Sequence, residues 1–290
     1  MARKGQVGVL RARLAALAAS LPDAGAPGWL DPDVAVDVPF TSAVEALPRL
    51  RAGLAAVIGQ DAVDAVLQPL AGRRKALLLA DMDSTMIAQE CIDELADFAG
   101  LRDRVAGITD RAMRGEIAFE PALRERVALL RGLPVSTLAR VLAERITPTP
   151  GGAALVRTMR ANGGDCALVS GGFTLFTGPV AAEVGFDEHR SNLLHVADGI
   201  LTGTVAEPIL GRDAKRRRLV ELRAERGLPG SAVLAVGDGA NDLAMLGEAG
   251  LGVAFHAKPA VAAAAHARID HADLEALLHI QGYARADIVA

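Results

Sequence analysis

The sequence predicts a doubly wound α/β fold, in which helices cover both faces of a parallel sheet. Three short apolar runs each end in a polar or glycine-rich turn, at residues 76–80, 166–169 and 232–236. Runs that are apolar on both faces are typical of central parallel strands. Helical patterns over 152–160 and 215–226 separate them, and alternating strands and helices indicate this fold class.

The length and composition exclude several classes of protein. A chain of 290 residues, 51% of them hydrophobic, predicts two domains with a sizeable core. A net charge of −4 gives no electrostatic reason to expect nucleic acid or an anionic membrane as a partner. The two cysteines, Cys91 and Cys166, predict free thiols in a cytoplasmic protein rather than a disulfide framework. No apolar run approaches the roughly 18 residues that span a bilayer.

Residues 1–74 are predicted to form a small separate α+β domain whose role stays open between regulation, dimerisation and structural support. Leu10, Leu14 and Leu17 recur at helical spacing, and Arg11 interrupts the stretch, which favours an amphipathic helix over a secretion signal. The rest of the predicted domain is a loop over 22–32, a half-buried strand over 34–38, a helix from a capping box at Ser42 to Ile58, and a helical pattern over 63–70.

Residues 75–290 are predicted to form the main domain, with a helical cap inserted after its first strand. Between Glu90 and Arg145 apolar residues recur at helical spacing and no strand candidate interrupts them. We therefore expect an insertion at about 88–147 that covers the ends of the strands. Further along the chain, Asp198-Gly199 between alternating segments predicts a hairpin over 193–205.

The first candidate site is a pair of carboxylates, Asp81 and Asp83, directly after a predicted buried strand. Ligands of doubly wound sheets collect at the carboxyl ends of the strands. In phosphate transfer one carboxylate attacks phosphorus, while the other protonates the leaving group and then deprotonates water. Two acids in a turn are common without any function, so it is the position after a strand that favours catalysis.

Two further features are typical of anion binding. Ser170-Gly171-Gly172 stands between a strand and a helix, where free backbone N–H groups and the helix dipole favour an anion. Lys215 lies in a basic run and is able to stabilise a phosphoryl group. Taken singly, the first feature is more simply a tight turn and the second a solvated helix face.

The segment 237–242 is the most specific one. Asp238 stands between two glycines at a strand end, and Asn241 and Asp242 open the following helix. Several hard oxygen ligands at an open site suit Mg²⁺, although part of this pattern also serves as a helix N-cap. No histidine pair has zinc-site spacing.

Together these segments resemble the four motifs of the haloacid dehalogenase-like hydrolases. The resemblance is closer than superfamily level, because residues 81–97, 111–127, 169–173 and 235–259 all resemble the phosphoserine phosphatases. The resemblance covers residue 76 to the C-terminus. It implies a Rossmann-like core with a cap, and Mg²⁺-dependent hydrolysis of phosphoserine through an aspartyl-phosphate, the last step of serine biosynthesis.

The resemblance also implies residue roles. Asp81 is then the nucleophile and a metal ligand, Asp83 the general acid/base that lends its backbone carbonyl to the metal, and Asp238 the third protein ligand. Asn241 and Asp242 orient the metal shell or the substrate. The residues implied to hold the phosphoryl group are Ser170, Gly171 and Lys215.

In the cap, the resemblance implies that Glu90 binds the substrate ammonium and Arg126 its carboxylate, while Met113 and Phe119 line the same pocket. A zwitterionic amino acid requires one acid and one planar guanidinium for its recognition. A simpler interpretation is that Glu90 and Arg126 pair with each other across helices.

Two alternatives remain open at this point. One is that the chain is a related phosphatase or phosphotransferase that acts on another small phosphate ester. The other is that it is a signalling receiver module, which takes phosphate on an aspartate without turnover. Asp83, the helical insertion and the second acidic loop argue against the receiver. The sequence predicts a small-molecule substrate, no nucleic-acid or membrane partner, and leaves a homodimer possible.

Overall fold

The computed structural model describes residues 1–2, 8–113 and 116–290, apart from the side chains of Met113 and Arg212. Its N-terminal unit (described residues up to 74) has two helices and a two-stranded antiparallel sheet: α1 (Val9–Ala19), β1 (Gly28–Asp31), β2 (Ala35–Asp37) and α2 (Leu47–Ile58). Six buried apolar residues form its core: Ala2, Leu10, Leu17, Leu54, Val63 and Leu67. The predicted small α+β unit is confirmed.

Several details of this unit differ from the sequence-based prediction. Strand β1 lies inside the stretch 22–32 that was expected to be a loop. In β2 the buried residue is Ala35 rather than its valine neighbours. Ser42 forms no capping box, because its hydroxyl donates to the Ala43 carbonyl and a 3₁₀ turn precedes α2.

The predicted helix over 63–70 is also wrong. These residues are not helical, and the reason lies far away in the chain. The buried Asp64 carboxylate accepts hydrogen bonds from the backbone N–H groups of Asp270, His271 and Ala272, at 2.8–3.2 Å. Local periodicity does not record a partner about two hundred residues away.

The remaining described strands form a six-stranded sheet and a separate hairpin. In chain order they are β3 (Leu77–Ala80), β4 (Asp165–Phe173), β5 (Glu188–Asn192), β6 (Leu194–Ala197), β7 (Ile200–Val205), β8 (Val233–Gly237), β9 (Leu251–Phe255) and β10 (Ala267–Ile269). The six-stranded sheet has the order β10-β9-β8-β3-β4-β5 and is parallel throughout. The strand order reverses at β3, and such a switch point is where doubly wound sheets bind ligands.

Both faces of the sheet are covered, as the apolar strands predict. Leu78 and Ala80 of β3 belong to one buried cluster, while Leu77 and Leu79 belong to a second one on the opposite face. This alternation follows from the two-residue repeat of a strand. All four side chains are fully buried, so β3 is a central strand and its carboxyl end is fixed in position.

Four helices follow β3 with no named strand among the described residues between them: α3 (Cys91–Phe98), α4 (Arg102–Met113), α5 (Phe119–Leu129) and α6 (Val135–Arg145). The other helices are α7 (Gly152–Ala161), α8 (Thr174–Val184), α9 (Arg212–Glu225), α10 (Leu243–Glu248), α11 (Pro259–Ala264) and α12 (Ala276–Ile280). The predicted helical cap after the first core strand is therefore confirmed, whereas the exact domain bounds stay a prediction. Within the described part of the chain, no helix has the length and apolarity needed to cross a membrane.

The β6–β7 hairpin supports the cap. Asp198 and Gly199 both have positive φ (50° and 74°), the backbone that a tight two-residue hairpin turn requires. Leu201 exchanges backbone hydrogen bonds of 2.8–2.9 Å with Gly132 and Leu133, in the loop between α5 and α6. The hairpin was predicted, but its attachment to the cap was not.

Candidate active site

Asp81 follows β3 at the reversal point of the sheet. Its backbone N–H still donates to the Val236 carbonyl at 3.0 Å, so the ladder with β8 holds the residue in place. Asp81 is 3% exposed, and its carboxylate Oδ1 accepts from the Met82 N–H at 2.7 Å. Among the described residues, no hydrogen bond reaches Oδ2, which leaves this oxygen available to a ligand.

Lys215 joins two carboxylates. Its Nζ lies 2.6 Å from Asp81 Oδ1 and 2.6 Å from Asp242 Oδ1, in a buried position on α9. Burial opposes the charge of Lys215, but the two carboxylates outweigh it and hold the pKa of the ammonium above its ordinary value. Burial and Asp242 raise the pKa of Asp81 well above its usual range, although Lys215 lowers it. Two carboxylates thus share one ammonium, and this local negative charge favours a further cation.

Asp83 lies between the ends of β3 and β4. After Asp81 the backbone leaves the strand, with Ser84 in the left-handed region at φ 53°. Asp83 Oδ1 accepts from the Cys91 N–H at 2.9 Å, and Oδ2 accepts from the Ser170 hydroxyl at 3.2 Å. Burial raises the pKa of Asp83 above its ordinary value, which favours a proton on this carboxyl.

The end of β4 requires a glycine at position 172. The Ser170 hydroxyl oxygen accepts from the Gly172 N–H at 2.8 Å. A Cβ at Gly172 would lie 3.0 Å from Asp83 Oδ2 and 3.1 Å from Ser170 Oγ, so a side chain would crowd both groups. The predicted strand–helix junction is present, but β4 continues through both glycines and α8 begins at Thr174 rather than Phe173.

Asn192, which the sequence analysis missed, holds this loop against its neighbour. Its Nδ2 donates to the Gly171 carbonyl at 2.9 Å, and its Oδ1 accepts from the Leu210 N–H at 2.7 Å. The side chain is 1% exposed. No motif signals this role, because a single asparagine at the end of a polar strand has no distinctive spacing.

Asp242 organises the acidic loop from within. Its Oδ2 accepts from the backbone N–H groups of Asp238 and Gly239 at 3.1 and 3.0 Å, and its other oxygen contacts Lys215. A Cβ at Gly237 would collide with this carboxylate. These contacts match a supporting role better than a direct ligand role.

Oxygens of Asp81, Asp238 and Asp242 all lie within 4.8 Å of one another. Burial and the nearby Asp242 raise the pKa of Asp238 to about 6, as expected where carboxylates gather without enough positive charge. Hard carboxylate oxygens on a partly open site fit a small divalent cation. The Asp83 carboxylate is not in this group. The ligand atom predicted for that residue is its backbone carbonyl, so this prediction is not tested by the positions of the carboxylates.

Phe119, at the start of α5, lies over Gly171 and Gly211, on the side of the site where phosphate binding is predicted. Its ring lies 3.7 Å from the position of a Cβ at Gly171 and 3.8 Å from one at Gly211. The space that it borders, together with Ser170, Lys215 and Asn241, measures about 20 Å³. This is room for about one water molecule, and neither Asp81 nor Asp238 lines this small cavity.

Glu90 and Arg126 stand on the cap side. The Ser84 hydroxyl donates to Glu90 Oε1 at 2.8 Å. Although the Glu90 residue keeps exposed surface, loss of water around its carboxylate and the charge of Asp83 raise its pKa to about 7. Arg126 is half-buried on α5, where its Nε donates to the Ala122 carbonyl at 3.3 Å.

Glu90 is close enough to Arg126 for its negative charge to raise the pKa of the guanidinium, although burial lowers that pKa overall. No ion pair joins the two side chains among the described residues. The simpler interpretation, in which Glu90 and Arg126 pair with each other across helices, is therefore not what the structure has. Ten other site residues were predicted. Eight of them line the small cavity next to Phe119 or lie beside it at the acidic cluster and the Asp83–Ser170 contact: Asp81, Asp83, Phe119, Ser170, Gly171, Lys215, Asp238 and Asn241. Asp242 supports them from behind, and the side chain of Met113 lies outside the described residues.

Comparison with known proteins agrees with this geometry. The family model described as haloacid dehalogenase-like hydrolase matches residues 78–247, more than half of the chain. A phosphoserine phosphatase of Mycobacterium tuberculosis is 43% identical over 243 residues, which cover 83% of this chain and 59% of that protein. A phosphoserine phosphatase of a Polaromonas species is 46% identical over 209 residues, which cover 70% of this chain and 89% of that protein.

The N-terminal unit also has a structural counterpart. The crystal structure of a HAD family hydrolase from Salmonella enterica serovar Typhi matches with a TM-score of 0.85 and 29% identity, over 97% of both chains. The chain spans about three fifths of the length of the first curated relatives that it matches. The matched segments include every strand-end motif described above. The chain belongs to the haloacid dehalogenase-like hydrolase family.

Proposed function

We propose that this chain hydrolyses O-phospho-L-serine to L-serine and phosphate, the last step of serine biosynthesis. The observation that carries the proposal is the contact of Asp81 with Lys215 at 2.6 Å at the strand ends. Two cap residues of opposite charge, Glu90 and Arg126, lie near it and form no ion pair with each other among the described residues. The curated relatives named above are phosphoserine phosphatases. Core and cap thus offer separate partners for the phosphate and for the amino acid.

In the first step, a carboxylate oxygen of Asp81, whose ionised form is favoured by the contact with Lys215, attacks phosphorus and the ester P–O bond breaks. Asp83 gives its proton to the departing serine oxygen, which is consistent with the raised pKa of that carboxyl. The Asp83–Ser170 contact of 3.2 Å keeps the acid next to the phosphate-binding loop. The products of this step are L-serine and an aspartyl-phosphate on Asp81.

In the second step, Asp83, now ionised, takes a proton from a water molecule. The resulting hydroxide attacks phosphorus, the bond between phosphorus and the Asp81 oxygen breaks, and inorganic phosphate leaves. Lys215 and the Ser170 hydroxyl stabilise the phosphoryl charge in both steps. They are buried and held by hydrogen bonds before the substrate arrives, so little reorganisation is needed.

We also propose that the metal ion is Mg²⁺, that the protein acts in the cytoplasm and that it prefers phosphoserine to other phosphate esters. Asp81, Asp238 and the Asp83 backbone carbonyl would hold the ion, and Asp242 and Asn241 would orient its surroundings. When bound, Mg²⁺ supplies positive charge that stabilises the phosphate oxygens. A homodimer stays a prediction.

Phosphate release by the purified chain tests this function directly. L-phosphoserine, phosphothreonine and p-nitrophenyl phosphate are compared with Mg²⁺, with EDTA, and with Asp81→Asn. We expect phosphate release from phosphoserine to be much faster than from the other two esters. We expect this release to stop in EDTA and in the Asp81→Asn variant. Release from the aryl phosphate alone would retain the mechanism but overturn the substrate. A stable phosphate on Asp81 without turnover would instead indicate a receiver-like module.

A further inference from the structure

The cap is joined to the core by two linkers, residues 87–90 before α3 and residues 146–151 after α6. The linkers run side by side, because Ile87 and Pro148 form an antiparallel β-bridge. These two segments are the covalent connections of the cap. Their pairing therefore fixes where the chain leaves the core and enters α3.

The side chain of Gln89 completes this pairing. The Ala88 N–H donates to the Thr147 carbonyl at 3.0 Å, and in a regular antiparallel ladder the Thr147 N–H would donate back to the Ala88 carbonyl. It donates to Gln89 Oε1 instead, at 2.9 Å, and Gln89 Nε2 donates to the Thr147 hydroxyl at 3.3 Å. One side chain thus binds the opposite linker at both its backbone and its side chain.

The second linker has few backbone donors of its own. Pro148 and Pro150 have no N–H, and the Thr149 N–H donates on the core side of the β-bridge. The Thr147 N–H is the donor on the cap side of the bridge, and its acceptor is Gln89. The cap side of the pairing therefore depends on this glutamine.

Gln89 directly precedes Glu90, the residue proposed to bind the substrate ammonium. The Gln89 carbonyl accepts from the Ser84 N–H at 3.2 Å, and Glu90 Oε1 accepts from the Ser84 hydroxyl at 2.8 Å. Glu90 is the N-cap of α3, and its φ of −93° and ψ of 110° lie outside the helical range. The position of the Glu90 side chain therefore depends on the linker before it as well as on the helix.

We propose that Gln89 is a positioning residue for substrate recognition, which joins the two linkers and thereby holds Glu90 towards the substrate ammonium. This inference rests on the proposed function, because it requires Glu90 to bind an ammonium. Gln89 itself does not contact the substrate. Loss of its side chain should weaken the recognition of phosphoserine and leave the chemistry at Asp81 unchanged.

Gln89→Met tests this role, because methionine has a similar length and lacks the amide. Steady-state kinetics with Mg²⁺ compare phosphoserine with p-nitrophenyl phosphate, which carries no ammonium. We expect KM for phosphoserine to rise about 3- to 10-fold, the effect of about one hydrogen bond. We expect kcat for phosphoserine, and both constants for the aryl ester, to stay within about twofold of wild type. An unchanged KM for phosphoserine, or an equal rise of KM for both esters, would overturn the role of Gln89.

Thr147→Val is the matched control. It removes only the hydroxyl, which accepts the 3.3 Å hydrogen bond, and retains the backbone N–H that donates to Gln89 at 2.9 Å. KM for phosphoserine should therefore stay within about twofold of wild type.

Amide hydrogen exchange without substrate measures the connection between the linkers directly. Exchange of the Thr147 N–H should be faster in Gln89→Met than in the wild type, and equal exchange would overturn the connection. A wild type that releases no phosphate from phosphoserine would contradict the proposed function and the role of Glu90 together. An active wild type with unaltered KM in Gln89→Met would contradict the role of Gln89 alone.

Discussion

The two sides of the candidate active site are built differently. On the core side, Asp81, Lys215 and Asp242 are almost completely buried and joined by contacts of 2.6 Å. On the cap side, Phe119 is 41% exposed and Arg126 has one hydrogen bond of 3.3 Å to a carbonyl on its own helix. The core groups are thus preorganised by ion pairs, whereas Glu90 and Arg126 of the cap side have hydrogen bonds but no ion pair among the residues that the structure describes.

This difference predicts a division of labour. Preorganised charges act on the transition state, where they require no reorganisation during the reaction. Cap groups that gain partners only from the substrate contribute to its recognition. Changes on the core side should therefore affect every phosphate ester, and changes on the cap side should affect only esters that carry an ammonium and a carboxylate.

The largest expected effect is that of Asp81→Asn. An amide is a poor nucleophile, so we expect kcat to fall by at least about 10⁴-fold for phosphoserine and p-nitrophenyl phosphate alike. Phosphate release under single-turnover conditions measures it. Equal loss for both substrates supports the division, whereas retained hydrolysis of either one would remove Asp81 from the mechanism. Circular dichroism serves as the folding control.

Lys215→Met should reduce both activity and stability. Without the ammonium, Asp81 and Asp242 face each other as uncompensated buried charges, which costs about 3–5 kcal/mol of unfolding free energy at pH 7. The folded variant then binds protons more tightly than the unfolded chain, so the loss should shrink as the pH falls. Urea unfolding at pH 5.5 and 7.5 measures this change.

Lys75→Met is the matched control for this prediction. The Lys75 ammonium donates to the carbonyls of Gly72 and Ser231 rather than to a carboxylate. We expect its free energy of unfolding to change by less than about 1 kcal/mol at both pH values. An equal effect of the two substitutions would mean that the buried charge trio contributes nothing specific.

A different contrast, between contacts that are local in the sequence and contacts that are distant, explains which residues the sequence predicted. Asp81, Ser170 and Asp238 were identified because each directly follows an apolar strand, and the ends of parallel strands share one edge of the sheet. Asn192 was missed because its two partners, Gly171 at the end of β4 and Leu210 before α9, are distant from each other in the sequence. The non-helical conformation around Asp64 was missed because its hydrogen-bond partners are near the C-terminus.

A third prediction concerns the cap. Arg126→Lys keeps the charge but loses the planar fork that matches a carboxylate. We expect KM for phosphoserine to rise by about 10- to 100-fold, with little change for p-nitrophenyl phosphate, which carries no carboxylate. Steady-state kinetics with both substrates measures the difference.

Arg124→Lys is the neighbouring control on the same helix. Arg124 is exposed and pairs with Glu120 and Glu207, at 3.4 and 2.6 Å, so KM should stay within about twofold of the wild-type value. A fall of kcat for both substrates in Arg126→Lys would show that the cap takes part in the chemistry, and the proposed division would then be wrong.

The smallest effect is expected from the ionisation of Glu90. Because its pKa is raised to about 7, a growing fraction is neutral below that pH and no longer attracts an ammonium. KM for phosphoserine should therefore rise as the pH falls from 8 to 6, by up to about tenfold per unit below 7. Bound Mg²⁺ offsets the charge of Asp83 and should move this change to lower pH.

Glu90→Gln separates this effect from ionisation of the substrate phosphate, whose second pKa is near 6. Glutamine cannot ionise, so the variant should have a high KM already at pH 8, and only the phosphate should contribute to its pH dependence. The folded-state pKa of Glu90 exceeds its ordinary value of 4.5. The free energy of unfolding of the wild type should therefore decrease as the pH rises from 4.5 to 7, and it should decrease less steeply in the variant. An unchanged pH profile of KM would mean that Glu90 does not bind the ammonium, and the cap would then recognise its substrate through Arg126 alone.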